Sequence, residues 1–320
     1  MDLIYANQSR EDIGVLKDYA LDLAFGKDEN DFECEVDIES NCCSEDFLLY
    51  IEGTEYGGIV DTIKIDTEAK KLTYCGRTWT GILGSKVLKP DAGEDYLIVN
   101  GETNTVLRGL IARMGLDGLF AASVDDSGIV VSNYKFNRYT DGYTGILKML
   151  ESVNAKLKIK YNGGSVVLSA EPLIDYSQNE EFDSSQVSFS VEKHYNMVNH
   201  LICLGSGELS ERQVVHLYAD AEGNISTTQS IFGVDEVEKT FDYPNAESAD
   251  DLVDRGKERF EELRNLDTIN IDFDANQDYD IGDIVGAREN LTGVFMAKPI
   301  EKKIVTIKSG LININYKIGE

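Results

Sequence analysis

Alternation of apolar and polar residues near the end of the chain gives the clearest structural signal in the sequence. From Ile312 to Ile318 every second residue is apolar, and the residues between are Asn or Lys. A period of two predicts a strand with one buried face. Upstream, Tyr279-x-Ile281-Gly282-Asp283-x-Val285 joins apolar residues to a Gly-Asp pair. It predicts the entry to a strand, interrupted by a tight bend where the backbone needs the space of a missing Cβ.

The first zone, residues 1 to about 100, contains further strand patterns. Leu21–Phe25 and Phe32–Val36 alternate on either side of a polar segment and predict a hairpin. A second pair of strands is predicted to begin at Gly58 and at Leu72. The apolar face of the first of these is expected to consist of Ile59, Ile63 and Ile65.

The second zone, residues 101 to about 182, mixes helix and strand patterns. Apolar residues recur at helical spacing from Val106 to Met114, and Thr103 or Thr105 is expected to cap that helix. Gly115 is expected to end this helix, because glycine is common just after the last helical residue. A second helix is predicted from about Tyr143 to Leu157.

A hairpin around Asn162-Gly163 ends that zone. The third zone, about 183–320, returns to strands, predicted at Val187–Val191, Leu201–Leu204 and Val214–Tyr218. One helix interrupts them, from Ser248 to about Leu266 (248–266), with Ser248 and Asp251 as an acidic capping box.

These zones predict an α+β protein, mainly β, with domains at residues 1–100, 101–182 and 183–320. The first and third are expected to be β-barrel-like, and the second to be a mixed α+β domain. The segment Gly58-Ile59-x-x-x-Ile63 is weakly similar in sequence to Pro299-Ile300-x-x-x-Ile304. Two similar barrels would explain this internal similarity, and chance similarity between hairpins would explain it equally well.

Charge narrows the range of partners. The 320 residues include 58 acidic and 30 basic side chains, a formal net charge of −28. Such a surface lacks the cations that displace counterions from phosphate, so non-specific binding to nucleic acid or anionic membranes is disfavoured. The acids either keep a solvated surface self-repelling or line a channel through which a polyanion passes. Neither a secretory signal at Met1–Tyr5 nor an apolar run of membrane-spanning length is visible, so we expect folding in a cytoplasm without a membrane anchor.

Residue patterns typical of enzymes are missing. His194, His200 and His216 do not have the spacing of known zinc motifs, and Gly205-Ser206-Gly207 lacks that of a nucleophile elbow. No nucleotide-binding glycine loop is present. The five cysteines have no CxxC pair and are expected to be reduced thiols: Cys34, Cys42, Cys43, Cys75 and Cys203. We therefore expect no catalytic, cofactor-binding or metal-binding residues.

Among possible ligands, calcium is the one that a sequence pattern most directly suggests. Asp272-x-Asp274-x-Asn276 begins like an oxygen-ligand loop, with Asp278, Asp280 and Asp283 nearby. An EF-hand needs Gly at its sixth position and Glu at its twelfth, where this chain has Gln277 and Asp283. A solvated turn is the favoured interpretation.

The order of several short motifs resembles the tail-hub family of siphoviruses and prophages. In the first zone they are Gly58–Ile63, Leu72–Arg77 and Gly81–Leu83. In the third they are Asn199–Gly205, the helix before Leu266, and Tyr279–Val285. Each motif is short, and their shared order along nearly the whole chain carries the resemblance. The middle zone and the unusually acidic composition depart from the family pattern.

The resemblance implies a fold like the contractile-phage baseplate hub, with two small tube-type β-barrel domains and an intervening α/β domain. In that plan three subunits each supply two tube-forming domains, so a threefold hub continues a sixfold tube. The implied role is a homotrimer in the virion tail that closes the tube, carries fibres or a spike, and opens for DNA. Implied partners are distal tail or tail-tube proteins, the tape-measure protein, and fibre or spike proteins, with DNA passing through without specific binding.

Two alternative functions stay open. A tail-associated cell-wall hydrolase would need a catalytic domain, and the sequence reaches Glu320 directly after the last predicted strand. A carbohydrate-binding receptor module would need exposed aromatic residues, whereas the single tryptophan, Trp79, is expected in a core.

Overall fold

The computed structural model describes residues 1–178, 182–183, 189–192, 194, 197–264, 268–271 and 279–319. Contacts divide the chain into two units, one of Met1–Phe189 with Asn270–Gly319 and one of Ser190–Ile269. Strands outnumber helices, so the fold is mainly β, as expected. No sheet formed by the described residues closes into a barrel, and the arrangement as two barrels stays a prediction. Within these same residues, no helix is long and apolar enough to cross a membrane.

The N-terminal part of the first unit consists of short strands. They are β1 (Leu3–Ala6), β2 (Asp12–Leu16), β3 (Ala20–Gly26), β4 (Asp31–Asp37), β5 (Leu48–Tyr50), β6 (Gly57–Asp66) and β7 (Lys71–Thr78). The predicted β3–β4 hairpin is confirmed, with Leu21 opposite Cys34. Because its apolar side chains alternate, β4 buries every second residue and exposes the acidic residues between them.

One predicted face in this sheet is wrong. Ile59 lies opposite Arg77, whereas Ile63 lies opposite Tyr74, because the register of β6 on β7 shifts between Val60 and Thr62. A bulge adds one residue and moves the following side chains to the other face. Ile63 therefore shares a face with buried Val60 and not with Ile59, although Ile63 itself is 37% exposed.

The middle of the first unit mixes helices and strands, as predicted. Its elements are α1 (Trp79–Gly84), β8 (Ile98–Glu102), α2 (Thr103–Arg113), β9 (Phe120–Ala122), β10 (Val130–Lys135), α3 (Gly142–Glu151), β11 (Ala155–Asn162) and β12 (Ser165–Pro172). The β11–β12 hairpin turns at Asn162, as the Asn-Gly signal indicated. Trp79 is fully buried, which confirms its predicted place in a core.

Two helix ends differ from the prediction. The cap of α2 is Glu102, whose carboxylate accepts hydrogen bonds from the backbone N–H groups of Asn104 and Thr105 at 2.9 and 2.7 Å. Neither predicted threonine serves, because Thr103 is already inside the helix and donates to the carbonyl of Ile129. Helix α3 ends at Glu151, six residues before the predicted end, because the apolar run after it is the start of β11.

The last strands return to the first unit. After β13 (Phe182–Asp183), which precedes the second unit, these are β20 (Ile284–Arg288), β21 (Phe295–Lys308) and β22 (Leu311–Ile318). The long strand β21 pairs with β3 on one side and with β22 on the other, so Val305 lies between Leu23 and Ile314. Alternating burial along β22 confirms its predicted period. The boundaries near residues 100 and 182 stay predictions, although β20–β22 share a sheet with β1–β7.

The second unit is built around a four-stranded sheet and one helix. Its elements are β14 (Phe189–Glu192), β15 (His200–Leu204), β16 (Val214–Ala219), β17 (Ile225–Ser226), β18 (Glu238–Asp242), α4 (Ala249–Arg264) and β19 (Thr268–Ile271), and the boundaries between the units fall within β14 and β19. The sheet order is β17-β16-β15-β18, and β14 pairs with β19. The predicted strand Val187–Val191 lies partly outside the described residues.

Helix α4 covers one face of that sheet. Leu201, Cys203 and Leu217 form a buried cluster with Leu252 and Phe260 of the helix. The predicted cap is confirmed, since the hydroxyl of Ser248 accepts from the backbone N–H of Asp251 at 3.1 Å. The alternate residues of β15, β16 and β18 lie on the opposite face, which the helix does not cover.

Candidate functional site

The Tyr279–Val285 motif forms a turn fixed to the last hairpin of the first unit. Gly282 has a φ of +96°, a conformation that favours glycine, and an added Cβ would lie 2.9 Å from Leu173. Its N–H donates to the carbonyl of Ile300, and the N–H of Ile300 donates to the carbonyl of Asp283, both at 2.9 Å. The predicted tight bend is therefore confirmed.

The two aspartates of this turn hold two lysines of β11. Lys156 Nζ lies 2.8 Å from carboxylate oxygens of both Asp280 and Asp283, and Lys158 Nζ lies 2.7 Å from Asp280. The side chains of Lys156 and Asp283 are 4% and 0% exposed. Asp283 also accepts from the backbone N–H groups of Ile174 and Asp280 at 3.0 Å. This buried charge cluster, defined here as Lys156, Lys158, Asp280 and Asp283, joins the middle zone to the C-terminal strands.

Electrostatic interactions within the cluster favour the charged forms of Asp280 and Lys156. Burial by itself would raise the pKa of Asp280, but hydrogen bonds and charge from Lys156 and Lys158 outweigh it and lower that pKa. Burial would likewise lower the pKa of Lys156, and the two aspartates raise it instead. A buried ion pair is costly unless its geometry is good, and here contacts of 2.7 to 2.8 Å link β11 to the turn that precedes Val285.

A second buried lysine lies nearby. Lys303 is 2% exposed, its Nζ lies 2.9 Å from Glu55, and it donates to the carbonyl of Tyr279 at 3.3 Å. The rings of Tyr56 and Tyr316 lie 5.9 and 5.8 Å from the ammonium. Carboxylate, carbonyl and aromatic faces together compensate a charge that would otherwise be costly to bury.

Sequence reasoning missed these lysines. Lys156, Lys158 and Lys160 alternate with apolar residues, a pattern that indicates a solvated face. Only Lys160 is exposed. No local signal in the sequence separates the three lysines, because the two partner residues, Asp280 and Asp283, lie more than 120 residues further along the chain.

The calcium hypothesis loses two of its ligands. Asp280 and Asp283 are occupied by lysine, and Asp283 is fully buried, so this end of the segment is not the solvated turn that we expected. Asp272, Asp274, Asn276 and Asp278 lie outside the described residues.

The exposed face of β4 carries a row of acids. Asp31, Glu33, Glu35 and Asp37 alternate with buried residues and point away from the core. Lys64 lies 2.6 Å from Glu33, and Lys71 lies 3.4 and 3.1 Å from Glu35 and Asp37. The hydrogen bond from Lys64 holds the pKa of Glu33 below its usual range. We call this the acidic face, defined by the four acids of β4.

Strand pairing brings two of the three histidines together. The ring nitrogens of His200 and His216 approach to 2.8 Å, and His200 also contacts Glu236 and Glu238. His194 lies 3.4 Å from Glu192. The cysteines are free thiols, and burial raises the pKa of Cys34 to about 12 and that of Cys203 to about 11.

Similarity to solved structures extends over the whole chain. A tail protein from Neisseria meningitidis MC58 is 13% identical with a TM-score of 0.54, covering 100% of this chain and 96% of its own. Prophage tail protein gp18 from Listeria monocytogenes EGD-e is 11% identical with a TM-score of 0.55, covering 100% and 94%. The 43 kDa tail protein of prophage MuSo2 from Shewanella oneidensis is 9% identical with a TM-score of 0.59, covering 99% and 98%.

At the level of sequence, no family model and no curated protein matches. The likeness is therefore one of fold, and it spans both units and nearly the full length of each solved chain. The chain has the fold of phage and prophage tail proteins.

Proposed function

We propose that this chain is a structural component of a phage or prophage tail tip or baseplate, located in the virion tail. The observation that carries the proposal is the end-to-end likeness of fold to three tail proteins. Sequence motifs that resemble the tail-hub family, in the same order along the chain, support it independently. A fold alone does not set function, so the role has to be tested on particles.

The finer proposal is a trimeric hub that closes the tail tube and carries fibres or a spike. Two features support it. The first unit holds a long sheet with a solvated face, and the second unit holds a four-stranded sheet that α4 covers on one face only. Two tube-forming sheets per subunit would give six in a trimer. Distal tail, tail-tube and tape-measure proteins are the proposed neighbours.

The acidic face suggests how such a hub would treat DNA. Its four acids are only partly balanced by Lys64 and Lys71. Turned toward a lumen, it would repel the phosphate backbone over roughly 8–10 Å at physiological salt. We propose that DNA passes this face without binding.

Immunogold electron microscopy on purified particles tests the location. Antibodies raised against the chain should label the tail tip. Label confined to the capsid, or absent from intact particles that contain all other tail proteins, would contradict the proposal.

A further inference from the structure

The helix-free face of the second unit's sheet brings one histidine and two glutamates to one point. His200 begins β15 and lies directly opposite Glu238 on the parallel strand β18. Glu236 precedes Glu238 by two residues, just after the short turn Gly233–Asp235. Residues two apart in extended chain point to the same side, so both carboxylates reach the same imidazole.

The atoms are close enough to share a ligand. His200 Nδ1 lies 2.7 Å from Glu236 Oε1 and 3.0 Å from Glu238 Oε1. The three potential ligand atoms lie within 4.8 Å of one another. The side chain of His200 is 7% exposed and that of Glu236 is 21% exposed, whereas Glu238 is 58% exposed and gives access from solvent.

We propose that His200, Glu236 and Glu238 bind a divalent transition-metal ion, with Zn²⁺ as the best fit. Imidazole nitrogen and carboxylate oxygen bind zinc at about 2.0–2.2 Å, and ligands of a tetrahedral ion lie about 3.3 Å apart. The two carboxylates therefore need to withdraw from Nδ1 by about 0.3–0.6 Å. Water completes the coordination, and the two carboxylates match the charge of the ion.

Neighbouring residues hold the ligands in place. His200 Nε2 lies 2.8 Å from His216 Nδ1, and the His200 ring stacks on Tyr218 with centroids 4.3 Å apart. Gln229 donates to Glu236 at 2.7 Å. With the metal on Nδ1, the remaining imidazole proton lies on Nε2 and donates to His216, the kind of outer contact that orients metal-binding histidines.

The ligand set selects against calcium and magnesium. Both ions take oxygen ligands, six or more, and a nearly buried imidazole nitrogen is not among those they prefer. Without metal, the same three residues form a cluster in which His200 Nδ1 contacts both carboxylates. The competing account is that this cluster is structural only, and the site is independent of the proposed role in a tail.

Isothermal titration calorimetry with ZnCl₂ tests the site on the full chain after treatment with a chelator. The buffer contains millimolar Ca²⁺, so that weak carboxylate sites on this acidic surface are already occupied and do not add to the zinc heat. We expect one Zn²⁺ per chain, heat that survives the Ca²⁺, and a Co²⁺ derivative with visible absorption typical of nitrogen and oxygen ligands. Zinc heat that Ca²⁺ abolishes would overturn the proposal.

Variants assign the ligands. His200→Ala should abolish tight binding, and Glu238→Gln, an isosteric change at a half-exposed side chain, should weaken it at least tenfold while the circular dichroism spectrum is unchanged. His216→Ala should weaken binding about 10–100-fold as an orienting residue. His194→Ala is the matched control and should bind as the unmodified chain does. If both Glu236→Gln and Glu238→Gln bind zinc normally, the proposed ligand set is wrong.

Discussion

Lys156 and Asp283 are 127 residues apart in sequence, yet the ammonium of one lies 2.8 Å from the carboxylate of the other, and both are buried. The pair joins a strand of the middle zone to the turn that leads into the last three strands. Because it is buried, its two charges depend on each other far more than a surface pair would.

Replacing one residue of this pair with an uncharged residue should therefore strongly destabilise the folded state. We expect Lys156→Met to lower the free energy of unfolding by about 3–5 kcal/mol, because it leaves the Asp283 carboxylate buried without its cation. The double variant Lys156→Met/Asp283→Asn should recover much of that loss, because it removes the unpaired charge and keeps an acceptor oxygen beside the backbone N–H groups of Ile174 and Asp280. Urea unfolding compares both variants with the unmodified chain. Lys160→Met, at an exposed position on the same face of the same strand, is the matched control with an expected change within about 0.5 kcal/mol. Equal effects of Lys156→Met and Lys160→Met would refute the role of the cluster.

The charge cluster should also give stability a defined pH dependence. The pKa of Asp280 is lowered in the folded state, so its contribution is complete above the unfolded value of about 3.9 and is lost as pH falls through the lower folded value. The pKa of Lys156 is raised, so its contribution is complete below about 10.4 and is lost as pH rises through the higher folded value. Asp280→Asn should be less stable than the unmodified chain at pH 7, and the difference should shrink at acid pH. A difference in unfolding free energy that stays constant down to pH 2 would contradict this assignment.

Two helical glycines should respond in opposite directions to alanine. A Cβ at Gly256 in α4 would lie 2.6 Å from Cys203 Sγ and 2.8 Å from Leu217, whereas a Cβ at Gly109 in α2 has nothing within 4 Å. Gly109→Ala should stabilise by about 0.5–1 kcal/mol through helix propensity. Gly256→Ala should destabilise by about 1–3 kcal/mol, because the helix must move off the sheet. Thermal melting compares them, and a stabilising Gly256→Ala would show that α4 packs less closely than described.

The acidic face can be tested in particles. With Glu33→Gln, Glu35→Gln and Asp37→Asn, the face keeps Lys64 and Lys71 without their counter-charges, so we expect intact particles that release DNA more slowly. Asp250→Asn, Asp254→Asn and Glu261→Gln change the same number of charges on exposed positions of α4 and should leave release unchanged. Time-resolved release after triggering provides the measurement. Similar rates in both variants would exclude this face from the DNA path.

The local pattern of apolar and polar residues was enough to predict many of the strands and helices. Strands β3, β4 and β22 were predicted from alternation, the β11–β12 hairpin from Asn162-Gly163, and α4 from its period and its Ser248 cap. Each of these signals is a contact or a periodicity within about 20 residues, where sequence order and spatial order coincide.

The candidate sites depend on pairing between distant strands, which local pattern does not encode. Lys156 and Lys160 have the same local sequence pattern, but Lys156 contacts Asp280 and Asp283 whereas Lys160 is exposed. His200 meets Glu238 because β15 and β18 pair in parallel, a register invisible in the spacing of histidines. The bulge in β6 shows the same limit, since a single extra residue reversed the predicted face of Ile63.

The native mass of the purified chain, measured by light scattering over a wide range of concentration, tests the central claim most directly. The hub proposal predicts a stable species near three times 35.6 kDa, and images of that species should show a central channel. A monomer at every concentration would contradict a self-assembling trimeric hub. In that case a zymogram on bacterial cell walls and a glycan array would decide between a hydrolase and a sugar-binding module.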